Sequence, residues 1–197
     1  MRAFARRLKY LVDTNYGTHR GLVRYMLGQF EGVAGKAGRF RTMHPHKVER
    51  LVFVCLGNIN RSAFAHAVAR QASLKCVSIG LATTTGAPAT ETAIAVAREF
   101  GLSLEQHQAT SLKDYERLPG DLLLVMELRH AHRLVALGVP QEQIALLGHW
   151  ARPIRYHIHD PHTLSTEYFR SCFASILPAV IRLGDELRSN DSPCVRP

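Results

Sequence analysis

The first uninterrupted apolar run is Leu51-Val52-Phe53-Val54, which stops at a turn rich in glycine and asparagine. A short apolar run bounded this way reads as a parallel strand buried on both faces. A helical pattern follows from about Ser62, with Phe64 and Val68 four apart, and Val77-Ser78-Ile79 reads as a second strand. Pro88 is expected to open the next helix, whose face collects Ala89, Ala93, Val96, Ala97 and Phe100 before Gly101 stops it. Asp121–Met126 reads as the third strand, followed by a helix from near Glu127 to Gly138, and Gln143–Leu147 as the fourth. A final helix spans about Ser165 to Leu187, where Phe169, Phe173, Ile176, Val180, Leu183 and Leu187 recur at spacings of three and four. Pro178 lies inside it and is expected to kink or shift it. Strands alternating with helices predict an α/β fold: a four-stranded parallel sheet, doubly wound, with helices on both faces.

Residues 1–46 break this rhythm and are read as a basic helical extension with its linker. Phe4, Leu8, Leu11 and Val12 fall on one helical face, and Leu22, Tyr25, Met26 and Phe30 on another, while Gly32 to Arg41 is glycine-rich and basic. The main domain is expected over 47–190, with a tail at 191–197. Residues 1–47 hold ten lysines and arginines against Asp13 and Glu31, a net +8 out of +9 for the whole chain. The remainder is nearly neutral, so the basic excess describes the extension alone. It suits an anionic membrane surface or an acidic partner protein. Nucleic acid is not expected, because no recognised module accompanies the charge. No apolar run approaches the length of a membrane span, and no secretory signal is evident. Cys55, Cys76, Cys172 and Cys194 form no close pair and no zinc spacing, so they read as free thiols of a cytoplasmic protein.

The stretch that carries chemistry is Cys55-Leu56-Gly57-Asn58-Ile59-Asn60-Arg61-Ser62, between the first strand and its helix. Backbone N–H groups of a tight loop and a helix N-terminus can converge there on a phosphate. The same positive field favours a thiolate nucleophile at Cys55. Arg61 offers a planar fork to two phosphate oxygens and stabilises transition-state charge. Gly57 and Asn58 tolerate left-handed backbone angles, and Ser62 can hydrogen-bond the sulfur as it leaves in a second step. Transfer of phosphate to sulfur also calls for a general acid, since an alkoxide or phenoxide leaves poorly.

The Cys-x5-Arg-Ser loop after a first strand resembles that of the low-molecular-weight protein tyrosine phosphatases. The resemblance covers about residues 49–188 and includes Ser78-Ile79-Gly80-Leu81, Leu124-Val125-Met126-Glu127 and Asp160-Pro161. It implies a phosphatase acting on phosphate monoesters, foremost phosphotyrosine in proteins, through a cysteinyl-phosphate intermediate. Asp160 then serves as acid and afterwards as base. Asn58 and Ser78 match positions that hold the loop by hydrogen bonds, and Glu127 stands where an aspartate usually supports the site. No cofactor or metal is implied. The implied substrate is a phosphorylated protein or small phosphate ester, with a tyrosine kinase of polysaccharide export among the implied bacterial partners.

Four departures qualify the resemblance. Asn60 replaces a second loop cysteine, His162 and Thr163 follow Asp160-Pro161 where tyrosine is usual, Thr83-Thr84-Thr85 supplies no aromatic wall, and Ala63 replaces a proline. Two alternatives follow: a phosphate-binding or scaffolding module with little turnover, and a thiol-dependent arsenate reductase, for which Asn60 removes the nearest relay thiol. Trp150–His159 reads as a solvated loop whose Arg152, Arg155, His157 and His159 crowd the approach to Asp160. The histidines at 157, 159 and 162 are weak grounds for a metal.

Overall fold

The computed structural model describes residues 2–35, 37–41 and 44–191. The expected tail beyond Asp191, with Cys194, and Lys36 in the glycine-rich stretch lie outside them. Four strands, β1 (Arg50–Cys55), β2 (Cys76–Gly80), β3 (Asp121–Val125) and β4 (Ile144–Leu146), form a parallel sheet in the order β2-β1-β3-β4. The chain leaves β1 toward β2 and then crosses to β3 on its other side. The loop after β1 therefore sits at the point where the winding reverses, the usual crevice for ligands in such sheets.

The apolar run of β1 divides two cores, because alternate residues point to opposite faces. Leu51, Phe53 and Cys55 pack with α3 (Arg61–Gln71), α4 (Glu91–Glu99) and α6 (Thr166–Asp191). There the Phe64 and Phe173 rings stack at 3.9 Å. Val52 and Val54 face α5 (Leu128–Ala136), through Leu128, Ala131 and Leu134. Burying side chains of this size stabilises by about 1.5–3 kcal/mol each, which is why these uniformly apolar strands lie at the centre.

Two expectations are corrected. Pro88 does not open α4. It forms an isolated bridge with Gln108, and Thr90 caps the helix by accepting from the Ala93 N–H at 3.2 Å; a hydroxyl cap satisfies an amide, which proline cannot do. The stretch read as a linker is partly anchored: Gly38–Phe40 forms a short 3₁₀ turn, and Phe40 is buried in the second core beside His132.

The extension folds into a hairpin of α1 (Arg2–Tyr16) and α2 (His19–Val33) and docks on the domain. Its contact is unusual for an amphipathic helix, since α2 does not bury the predicted face. Met26 and Phe30 are exposed, whereas Gly21, Gly28 and Gly32 approach the 156–159 segment. A Cβ at Gly32 would stand 2.0 Å from the Tyr156 ring, and one at Gly28 would stand 3.2 Å from His157 Cβ. Gln29 donates to the Ile154 carbonyl at 3.1 Å and accepts from the Tyr156 N–H at 3.3 Å. Arg155 lies over the Tyr25 ring and donates to the Asn15 carbonyl at 3.4 Å. Trp150–His159 is consequently not a solvated loop: Tyr156, His157 and His159 are half-buried and Ile158 is buried, beneath the hairpin.

Candidate active site

The loop from Cys55 to Asn60 turns directly into α3, so the first N–H groups of that helix, at Arg61 and Ser62, have no acceptor within it. Cys55 is 2% exposed and its Sγ accepts from the Asn58 N–H at 3.2 Å. Of the two residues expected to adopt left-handed angles, only Asn58 does, at φ 54. A short polar side chain is one of the few that bears this conformation. Gly80 matters for a different reason, since a Cβ there would meet the Gly57 carbonyl carbon at 3.0 Å.

Asn58 is the organising residue. Its Oδ1 accepts from the Thr110 N–H at 2.8 Å, which fixes the amide orientation. Its Nδ2 then donates to Ser62 Oγ at 2.8 Å and Ser78 Oγ at 2.9 Å. With Ser62 Oγ already accepting, its own proton is available to Cys55 Sγ, 3.0 Å away. Ser78 passes on to His66 Nδ1 at 3.3 Å, and burial lowers that imidazole to about 4. His107 Nε2 donates to the Asn58 carbonyl at 2.6 Å. Asn60, where the resemblance led to cysteine, accepts from Thr90 Oγ1 at 2.6 Å and ties the loop to the start of α4.

Arg61 is completely buried. Its Nη1 donates to Glu127 Oε1 at 2.6 Å and the Ile158 carbonyl at 2.8 Å. Nη2 lies 2.6 Å from Asp160 Oδ2. One side of the guanidinium is thus fastened, and Nη2 is turned toward the acid. Burial works against the charge, but Asp160 and Glu127 outweigh it and raise the arginine above its ordinary value. Burial likewise favours a neutral Glu127, yet Arg61 holds this carboxyl well below the usual range. Glu127 is the N-cap residue of α5 but makes no side-chain cap; it turns inward to Arg61, and Arg129 Nε reaches it at 2.7 Å. Removing one partner of such a buried pair typically costs about 3–5 kcal/mol. His130 and His157 flank Glu127 and are lowered to about 4 by burial, so they add no charge at neutral pH.

A recess of about 220 Å³ opens above the sulfur, lined by Leu56, Gly57, Ile59, Asn60, Ala82, Asp160 and His162. Leu56, Ile59 and Ala82 make its apolar walls, and Asn60, Asp160 and His162 its polar ones. The structure brings together Cys55, the loop from Leu56 to Ser62, Ser78, Glu127 and Asp160. Sequence reasoning missed His66, Thr90, His107 and Thr110, since each supports the loop from a distant segment, and no local motif marks them. Arg152, in the stretch leading to Asp160, donates to the His149 and Ala151 carbonyls.

The sequence profile described as low molecular weight phosphotyrosine protein phosphatase matches residues 50–192. The chain belongs to this family. It is 36% identical over 126 residues to the low molecular weight protein-tyrosine-phosphatase Wzb of Escherichia coli K12, covering 62% of this chain and 84% of that one. It matches the crystal structure of the tyrosine phosphatase AmsI of Erwinia amylovora with a TM-score of 0.63 and 31% identity, over 71% of this chain and 93% of that one. The structure of Wzb from Escherichia coli K30, in complex with sulphate, matches with a TM-score of 0.63 and 30% identity, over 71% and 99%. Membership in the low molecular weight phosphatases favours a cysteine-dependent protein-tyrosine-phosphatase over a scaffolding module or an arsenate reductase. The hairpin precedes the matched region. No helix among the described residues is long and apolar enough to cross a membrane.

Proposed function

We propose that this chain hydrolyses phosphotyrosine in proteins, with Cys55 as nucleophile, Arg61 as phosphate clamp and Asp160 as general acid. The observation that supports this most is the common placement of the Cys55 sulfur and the Asp160 carboxyl on one recess, with the Arg61 Nη2 2.6 Å from the acid. In the first step the sulfur attacks phosphorus while the ester oxygen departs with a proton from Asp160. The phosphoryl group is held by loop N–H groups and Arg61. In the second step the Asp160 carboxylate takes a proton from water. The water oxygen attacks phosphorus, and sulfur leaves as thiolate with hydrogen bonds from Ser62 and the Asn58 N–H. Leu56, Gly57, Ile59 and Asn60 shape the loop, Ser78 and Glu127 brace it, and residues 47–190 carry the chemistry.

The depth of the site supports phosphotyrosine over phosphoserine. Cys55, 2% exposed, lies within the recess, and a phosphate on a long aryl arm reaches into it more readily than one on a short serine methylene. Turnover of a phosphotyrosine peptide is therefore expected to exceed that of a matched phosphoserine peptide by at least ~10²-fold in kcat/KM, reflecting the differential placement of the reacting phosphorus. Comparable rates on the two peptides would reject the substrate assignment. On the family resemblance, a tyrosine kinase of polysaccharide export is the phosphoprotein partner we propose. The basic extension suits the enzyme to an anionic surface on the cytoplasmic side.

Oxidation follows from the same geometry. Asn60 leaves no thiol within the loop. Burial pushes the Cys76 thiol up to about 11 and Cys172 up to about 12, so neither supplies a ready thiolate to trap a Cys55 sulfenic acid. Peroxide is expected to inactivate the enzyme with poor recovery by added thiol, and mass spectrometry is expected to find sulfinic or sulfonic Cys55. A recoverable enzyme carrying a Cys55–Cys76 or Cys55–Cys172 disulfide would refute this.

A further inference from the structure

α2 carries two opposed stripes. Gly21, Tyr25, Gly28 and Gly32, spaced at four, three and four, face the domain. Val23, Met26, Phe30 and Val33, spaced at three, four and three, face away from it, while Leu27 lies between the stripes and lines a recess with Leu128 and His132. The small residues are inside and the large apolar ones outside, the reverse of what folding of a lone domain rewards. Phe30 is 71% exposed and Val33 89%. In α1 every residue from Ala3 to Leu11 is exposed, with Phe4, Leu8 and Leu11 on one side and Arg6, Arg7 and Lys9 around them. Nine of the thirteen large exposed apolar side chains among the described residues lie on this hairpin, which makes a patch rather than ordinary scatter.

The charge decides what covers it. The first turn of α1 contains no acid, so no carboxylate of that turn offsets the positive end of the helix dipole. A second copy docking through the same face would set two strongly basic hairpins against each other. A protein groove would cover one stripe and leave the rest of α1, exposed all round, without a partner. A lipid headgroup layer meets both demands, with acyl chains below for the apolar stripe and phosphates around it for the basic side chains.

We propose that this hairpin docks on an anionic lipid surface, with Phe4, Leu8, Met26 and Phe30 entering the acyl boundary and Arg6 and Arg7 meeting lipid phosphates. The inner stripe of α2 meanwhile holds the segment leading to Asp160, so the anchor and the acid-bearing loop share one helix. This rests on the surface-seeking role proposed for the extension and is independent of the phosphotyrosine assignment, because vesicle binding and aryl phosphate hydrolysis can fail separately.

The test is co-sedimentation of the full chain with vesicles mixing phosphatidylglycerol and phosphatidylcholine, against phosphatidylcholine alone. Binding is expected only to the anionic vesicles and to weaken as salt rises, since exposed charges are screened over about 10 Å at 0.1 M. The Leu8→Glu/Phe30→Glu variant is expected to bind at least about tenfold more weakly while hydrolysing a small aryl phosphate at the wild-type rate, which shows that it is folded. Absence of binding, equal binding to neutral vesicles, or binding indifferent to the two substitutions would overturn the proposal. So would a wild-type dimer in solution that the double variant abolishes, because the patch would then belong to a second copy.

Discussion

Cys55→Ser is expected to abolish turnover while the protein stays folded. Loss of the nucleophile in a covalent mechanism can cost on the order of 10⁶-fold in kcat, so residual activity should fall below detection in an ordinary aryl phosphate assay. The substitution is nearly isosteric. The oxygen retains a donor in Ser62 and the Asn58 N–H, so the loop network survives. What is lost is nucleophilicity, since a hydroxyl at neutral pH has no equivalent of the thiolate. Thermal unfolding close to wild type would show an intact fold. A variant that kept more than a few per cent of the wild-type rate would mean that phosphate does not pass through sulfur.

Asp160→Asn is expected to separate substrates by leaving group. A positioned acid contributes about 10²–10⁴-fold when the departing oxygen is basic. Aryl phosphates with poor leaving groups should lose that much in kcat/KM, and those with strongly acidic phenols much less. The amide also removes one of the two carboxylates that face Arg61, while Glu127 continues to hold its Nη1. The clamp is thus retained. Equal losses across a leaving-group series would remove Asp160 from the acid's role and leave it as an electrostatic partner of Arg61 only.

Much of this was legible in the sequence because the decisive signals are local. The β1 run, the Gly-Asn turn and the spacing of Cys55 from Arg61 lie within a dozen residues, and strand period and helix period differ enough to separate the elements. The rest required contacts between distant segments. Thr110 orients Asn58 across 52 positions, and His107 supports it across 49; neither stands in a pattern of its own. The resemblance set Glu127 at a supporting position, and only its burial beside Arg61 shows what it supports. Pro88 misled because proline is common at a first helical turn, whereas Thr90 two residues later offered the hydroxyl that an N-terminal amide needs. In the hairpin, periodicity identified an apolar face but not which way it turns, and in α2 glycines occupy the inner face because Tyr156, His157 and His159 approach too closely for side chains.

The covalent intermediate is the central claim, and rapid acid quench of Asp160→Asn tests it most directly. With an aryl phosphate whose phenol leaves without help, the first step proceeds in this variant, while the second lacks its base, so phosphoenzyme should accumulate. Mass spectrometry of the quenched, digested protein is predicted to find phosphate on the peptide bearing Cys55, with Cys76 and Cys172 unmodified, and none when Cys55→Ser is added. Release of phenol and phosphate together from the first turnover, with no phosphate on Cys55 at any quench time, would contradict it.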